Sequence, residues 1–291
     1  MKIIAIVPTY NRPNLLLKNI YCLLNQNRAL DKIIIVDNAS EPETRQVLES
    51  MGYLSHPQLK YIRLDNNIGS SGGFRAAMMA AIDAGADWVW GMDDDAFPRY
   101  DALSRLMEAN ISDEYQCLWS NADDDCSFEE PIKLVDHFMF VGYFVSRKLI
   151  QIIGYPDEKF YMYHDDTEYS QRITSHGFPI VKVRDSVIDH KGYDKRGVAV
   201  TTYGLFGINF SVFNCEPFRI YYMYRNGIYT KLNSVDCMHY FFKTLTVTFP
   251  KYLLVRPRSG LAIALALFHM LSGRRGYINL PKNFYDSYDI N

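Results

Sequence analysis

The sequence predicts an α/β fold: a doubly wound, mostly parallel sheet followed by a C-terminal helical extension. Three observations carry this. Short apolar runs alternate with helical segments from Lys2 to Met92, the pattern of strand–helix units. Those runs end in polar or acidic residues, as strands do when their C-terminal tips face a ligand crevice. Beyond about residue 215 the alternation stops, and aromatic, basic and apolar sequence takes over.

Taken in order, Lys2–Val7 is the first strand and Pro8–Pro13 the loop after it. A helix opens at Pro13 or Asn14 and runs to about Asn25, with Leu16, Ile20, Leu23 and Leu24 at helical spacing. Asp31–Val36 is the second strand, ending at Asp37-Asn38-Ala39-Ser40, and Glu41–Met51 the second helix. Leu59–Leu64 is the third strand; Asp65–Gly73 is a loop, Phe74–Ala84 a helix, and Asp87–Met92 the fourth strand. Asp101–Ala109 reads as helix and Gln116–Ser120 as strand. Asp123-Asp124-Asp125, with polar neighbours on both sides, reads as a solvated turn. His137–Ser146 is strand-like around Gly142, a point of close approach. Phe160–Tyr169 leads into a short helix carrying Arg172, and Ile180–Val183 and Val187–His190 are the last strand-like runs.

With 291 residues and 48% hydrophobic content, the chain can bury one large domain, or one domain plus a tail. A formal charge of −2 argues against nucleic-acid partners. Five scattered cysteines without a CxxC pair suit a reduced, cytoplasmic protein. The N-terminal apolar run is too short for a signal peptide and reads as a strand. The expected division is a catalytic domain over 1–215 and a helical, aromatic and basic region over 216–291.

The stretch Trp88–Ala96 organises the chemistry. An apolar strand stops abruptly in Asp93-Asp94-Asp95, and three adjacent carboxylates repel one another unless a cation sits among them. Oxygen donors of this kind suit Mg²⁺ or Mn²⁺, which in turn hold nucleotide phosphates. Thr9, Asp37, the Asn66–Gly73 loop and the acidic triplet all lie at strand C-termini. Asp37 suits hydrogen bonds from a base or ribose, and equally a turn or helix cap. The glycine loop opens a helix and can offer N–H groups to phosphate. It lacks the Gly-Lys-Ser/Thr of a P-loop and does not follow the first strand as a dinucleotide loop would. His190 is either an exposed turn residue or a third metal ligand. Asp165-Asp166 is either a dipole-favoured helix start or a general base with its partner, on a wall made apolar by Phe160–Tyr163.

In this order, IVPTYNRP (6–13), IIIVDNAS (33–40), DNNIGSSGGFRAAM (65–78), WGMDDDAFP (90–98), YMYHDDTEYSQRI (161–173) and DHKG (189–192) resemble a family 2 glycosyltransferase of GT-A fold. The GT-A fold includes a Rossmann-like nucleotide-binding half. The resemblance covers about residues 1–230. It implies that Thr9 and Asp37 hold the nucleobase, and that Arg12 lies by the phosphates. Asn67, Gly72 and Gly73 lie near nucleotide and sugar. Asp93 and Asp95 match the outer members of a DxD motif, with Asp94 between them at the donor site. Asp95 is the direct metal ligand, with Asp93 and His190 completing the site. Asp166 matches the catalytic base, and Asp165 stands where glutamate is commoner.

Within the family, the Gly-Gly-Phe loop and the triple aspartate resemble the galactofuranosyl- and rhamnosyltransferase branch. NNIGSSGGF (66–74), with Ser70 where glycine is commoner, and Asp165-Asp166 before Thr-Glu-Tyr resemble galactofuranosyltransferases more nearly. YYMYRNGIY (221–229) and GRRG (273–276) resemble rhamnosyltransferases of surface-polysaccharide (O-antigen, lipopolysaccharide) assembly. The implied activity is a metal-dependent, inverting transfer from a nucleotide sugar, with UDP-galactofuranose favoured and dTDP-rhamnose the alternative. The acceptor is a hydroxyl of a lipid-linked glycan. Two other classes stand beside it: an idle nucleotide-sugar-binding scaffold, and a nucleotidyltransferase. The latter would need a basic, glycine-rich loop where Thr9-Tyr10-Asn11 stands. In the C-terminal region neither apolar segment reaches the roughly 18–20 residues of a membrane span. Interfacial helices at the cytosolic membrane face and a packed subdomain or dimer surface are both open readings, and the oligomeric state is not legible.

Overall fold

A computed structural model describes residues 1–110, 114–122, 125, 127–190, 199–205, 207–232 and 236–285. It divides into two compact units, one of Met1–Glu158 with Asp165–Tyr193, the other of Lys159–His164 with Asp194–Asn291.

In the first unit, strands β1 (Ile3–Thr9), β2 (Lys32–Asp37), β3 (Leu59–Arg63) and β4 (Trp88–Gly91) pair in parallel in the order β3-β2-β1-β4. All seven residues of β1 are buried, as a strand covered on both faces requires. Helices α1 (Pro13–Leu24), α2 (Pro42–Ser50) and α3 (Gly69–Asp83) are the crossovers. Proline opens both α1 and α2, where its missing N–H costs nothing. The winding direction reverses between β1 and β4, which opens a crevice at their C-terminal ends.

Helix α3 starts at Gly69 rather than at Phe74, so the expected glycine loop is the helix's own first turn. Close packing explains it: a Cβ on Gly73 would sit 3.1 Å from Pro8 Cβ in β1. Beyond β4 come β5 (Phe97–Pro98), α4 (Ala102–Ala109), β6 (Cys117–Ala122), β7 (Ile132–Val135), β8 (Tyr143–Ser146), α5 (Arg147–Ile153), α6 (Asp165–Ser175) and β9 (Ile180–Asp189). β8 enters antiparallel to β4 and β6, so the sheet is mixed beyond its parallel half.

The expected strand over His137–Ser146 shrinks to β8, because Gly142 turns the chain at φ +78° with Ser120 and Ile188 packed against it. Ser146 Oγ then accepts from Leu149 N and caps α5, a helix the sequence did not suggest. The two runs Ile180–Val183 and Val187–His190 prove to be one strand, β9. Its polar Arg184-Asp185-Ser186 forms an irregularity, since Ser120 pairs Val183 and Asn121 pairs Val187. Of the second acidic triplet, Asp123 and Asp124 lie outside the described residues, and Asp125 accepts a 2.7 Å bond from Lys182. Cys22, Cys117, Cys215 and Cys237 are free thiols.

The second unit contains a hairpin absent from the sequence reading, β10 (Ala199–Leu205) with β11 (Ile208–Asn214). Helices α7 (Pro217–Tyr229), α8 (Asp236–Lys243), α9 (Phe249–Val255) and α10 (Pro257–Leu271) follow, α7 and α10 packing through Ile220, Tyr221, Ala262 and Ala266. Between α8 and α9, Thr244–Thr248 is a π-turn, placed where Pro250 can donate no hydrogen bond. Among the described residues no helix is long and apolar enough to cross a membrane.

Candidate active site

The acidic tip of β4 is held from three sides. Asn19 of α1 donates to the carbonyls of Ala96 at 2.6 Å and Asp93 at 3.4 Å, fixing the turn. Thr9, the last residue of β1, donates Oγ1 to Asp94 at 2.6 Å. Arg12 reaches Asp94 at 3.2 Å and Asp95 at 2.9 Å. The central carboxylate is therefore occupied by protein donors on both oxygens.

The two outer carboxylates meet His190. Strand β5 pairs antiparallel with β9, Phe97 opposite Asp189, so the residue after β9 arrives beside the residues before β5. His190 Nε2 lies 3.3 Å from Asp95 Oδ1. Asp93, Asp95 and His190 each offer a ligand atom, all within 4.8 Å of one another. Burial, then repulsion from Asp95 and Asp94, pushes the Asp93 carboxyl well above its usual range. Burial pushes Asp94 up to about 6, against the pull of Arg12 and Thr9. Burial acts upward on Asp95 as well, but the His190 hydrogen bond and Arg12 outweigh it and leave this carboxyl lowered. Two crowded carboxylates and an imidazole are a donor set that fits Mn²⁺ or Mg²⁺, and a cation there would relieve the repulsion on Asp93.

Asp37 is fully buried at the tip of β2. Its Oδ1 accepts from Ser40 N at 2.7 Å, and its Oδ2 accepts from Tyr61 Oη and from Arg63 at 3.3 Å. Asn67 accepts from Gly69 N at 2.9 Å at the head of α3. Gly72 and Gly73 are buried in that first turn.

Asp165 and Asp166 open α6. Ser70 of α3 donates to Asp165 Oδ2 at 3.0 Å, joining the two helix heads. Burial and the neighbouring Asp166 push Asp165 up to about 7, against the Ser70 bond. Asp166 Oδ1 accepts from Thr167 N at 2.6 Å, and Ser170 ties the Asp166 carbonyl at 2.8 Å.

Sequence reasoning passed over Asn38, which donates to Asn67 Oδ1 and the Gly69 carbonyl and accepts from Ile68 N. It also passed over Asn19 and the role of Ser70 as a donor. An asparagine after a strand reads as a turn residue, and nothing local distinguishes a clamp from a turn.

The family model for glycosyl transferase family 2 matches residues 4–175. The chain belongs to that family. As a member of it, the chain is a glycosyltransferase. This family 2 enzyme is 25% identical over 203 residues to galactofuranosyltransferase GlfT1 of Mycolicibacterium smegmatis. That match spans 60% of this chain and 66% of the relative, just under two thirds of its length. GlfT1 of Mycobacterium tuberculosis is 26% identical, over 65% of this chain and 69% of its own. Among solved structures, GalNAc-T7 with UDP, GalNAc and Mn²⁺ superposes with TM-score 0.62 at 12% identity, covering 95% of this chain and 55% of its own. The mannosyltransferase PcManGT of Pyrobaculum calidifontis, in complex with GDP-Man and Mn²⁺, gives 0.59 at 14% identity, covering 94% and 88%. These likenesses establish the GT-A fold of this glycosyltransferase.

Proposed function

We propose that the chain is an inverting, divalent-metal-dependent transferase that moves galactofuranose from UDP-galactofuranose to a hydroxyl of a lipid-linked cell-surface glycan. The observation that carries it is the convergence of Asp93, Asp95 and His190 within 4.8 Å at the strand crevice. Similarity to two galactofuranosyltransferases supports the donor.

In this reading Thr9 and Arg12 hold the acidic turn in shape, and Arg12 also faces the donor phosphates. The half-buried Asn67 faces the nucleoside. Behind it, Asn38 and the fully buried Asp37, its oxygens taken by Ser40, Tyr61 and Arg63, hold that strand end in shape. Mn²⁺ or Mg²⁺ held by Asp93, Asp95 and His190 would stabilise charge on the departing diphosphate. Asp166 takes the proton of the acceptor hydroxyl as that oxygen attacks the anomeric carbon. The bond from that carbon to UDP breaks, UDP leaves with the electron pair, and the configuration inverts. Asp165, pushed up to about 7 by burial and by the neighbouring Asp166, carries its proton below neutral pH.

The C-terminal region supports a membrane-face acceptor. Between Cys237 and Tyr285 stand seven Lys and Arg residues and no Asp or Glu, while Met238, Phe242, Leu254, Leu261, Phe268 and Leu271 are exposed. An exposed apolar surface among basic residues suits the headgroup layer of an anionic membrane.

The test is turnover of UDP-galactofuranose, UDP-galactopyranose and dTDP-rhamnose, each with Mn²⁺ and with EDTA. Metal-dependent turnover of the first alone is the expected result; turnover unaffected by EDTA would remove the metal from the reading. Asp166→Asn should retain UDP binding and lose transfer by on the order of 10²–10⁴-fold.

A further inference from the structure

The segment Lys159–His164 runs by chain directly into Asp165 and Asp166, and its backbone is strained. Tyr161, Tyr163 and His164 hold φ of +66°, +62° and +61°, a left-handed region that costs a non-glycine residue energy and persists only when its surroundings impose it. Two buried side chains of α7 face this segment. Asn226 donates to the carbonyls of Phe160 at 2.7 Å, Met162 at 2.7 Å and Tyr163 at 3.1 Å. Arg225 donates to Lys159 O at 3.3 Å and Phe160 O at 3.2 Å, and to Gly276 O at 2.7 Å. Arg225 Nε also donates to Asn226 Oδ1 at 2.9 Å, fixing which way the amide points.

Arg225 is fully buried, and its guanidinium lies 4.7 Å from the Tyr222 ring centroid. Among the described residues no carboxylate pairs with it. A buried cation whose partners are mostly backbone carbonyls is a costly way to fill a core, and an apolar side chain would stabilise more simply. Gly227 completes the arrangement: a Cβ there would fall 3.1 Å from His164 Nε2 and 2.9 Å from the Tyr240 hydroxyl.

We infer that Arg225, Asn226 and Gly227 are positioning residues: they impose the left-handed conformation of Tyr161, Tyr163 and His164, and through the peptide chain that conformation sets the direction in which Asp165 and Asp166 leave the segment. This rests on the assignment of Asp166 as base. It gives a physical role to the Arg-Asn-Gly of the motif at 221–229.

The test compares wild type with Asn226→Asp, which keeps the volume but replaces the donating amide, and with Arg225→Lys, which keeps the charge but loses the planar fork. Amide hydrogen exchange across 160–168 should quicken by about tenfold or more in both variants. The kcat for UDP-galactofuranose should fall by on the order of 10²-fold, with donor KM and Mn²⁺-dependent UDP binding unchanged. Intact UDP binding also certifies that each variant is folded. Unchanged exchange in the segment, or unchanged kcat, overturns the inference. Should wild type turn over no donor, the functional reading fails, and the exchange result still decides whether these residues hold the segment.

Discussion

At the scale of single residues, the site is a problem of crowded charge. Removing His190 should weaken Mn²⁺ binding by at least about 10²-fold, since even an outer-shell partner is worth 10–100-fold. Isothermal titration of His190→Ala with Mn²⁺ checks this, and near wild-type affinity would return His190 to a turn residue. Asp165 carries a pH signature of its own. Its carboxyl, pushed up to about 7 by burial and Asp166, keeps its proton in the folded protein while the unfolded chain releases it near pH 4. Stability from this group is fully present below pH 4 and is lost as pH rises to about 7. Asp165→Asn should therefore gain about 4 kcal/mol relative to wild type at pH 8, from roughly three pH units at about 1.4 kcal/mol each, and next to nothing at pH 4. Urea unfolding at the two pH values measures it; a pH-independent difference would contradict a raised Asp165.

At the scale of elements, two glycines separate packing that yields from packing that does not. A Cβ on Gly91 would lie 2.1 Å from the buried Tyr143 ring, one residue before the turn into the acidic triplet. Gly91→Ala should cost about 1–3 kcal/mol or more by overpacking and weaken Mn²⁺ binding in the same protein. On Gly72 the obstacles are Ile68 Cγ1 at 2.7 Å and Cδ1 at 2.8 Å, which a side-chain rotation moves, and Ile68 Cβ at 3.0 Å, which needs a small backbone shift at this exposed residue. Alanine in turn favours the helix by about 1 kcal/mol. Gly72→Ala should stay within about 1 kcal/mol of wild type. Thermal melts of the two variants discriminate, and equal losses would mean the head of α3 is as rigid as β4.

At the scale of the whole molecule, the basic and apolar surface of the second unit predicts lipid binding. Sedimentation with vesicles rich in phosphatidylserine should capture the protein, and pure phosphatidylcholine vesicles should not. Added salt should weaken capture through the electrostatic part. Leu261→Ser with Phe268→Ser should reduce capture without altering UDP binding. Capture that ignores both lipid charge and these substitutions would favour the packed-subdomain reading.

The sequence by itself determined the parallel half of the sheet, its three crossover helices and the acidic tip of β4. Apolar period and strand-end polarity are local properties, and burial on one or both faces writes them directly into the chain. Only tertiary structure decided which polar groups meet. His190 reaches Asp95 through the two-residue strand β5, too short to announce itself by periodicity. Thr9 finds Asp94, and Ser70 finds Asp165, across 85 and 95 residues. The irregularity at Arg184–Ser186 made one strand read as two. The glycines of α3 looked like a loop because glycine disfavours helix in isolation, and here close approach to Pro8 outweighs that propensity. Register, bulges and the partners of buried amides depend on contacts between distant segments, and no local pattern encodes them.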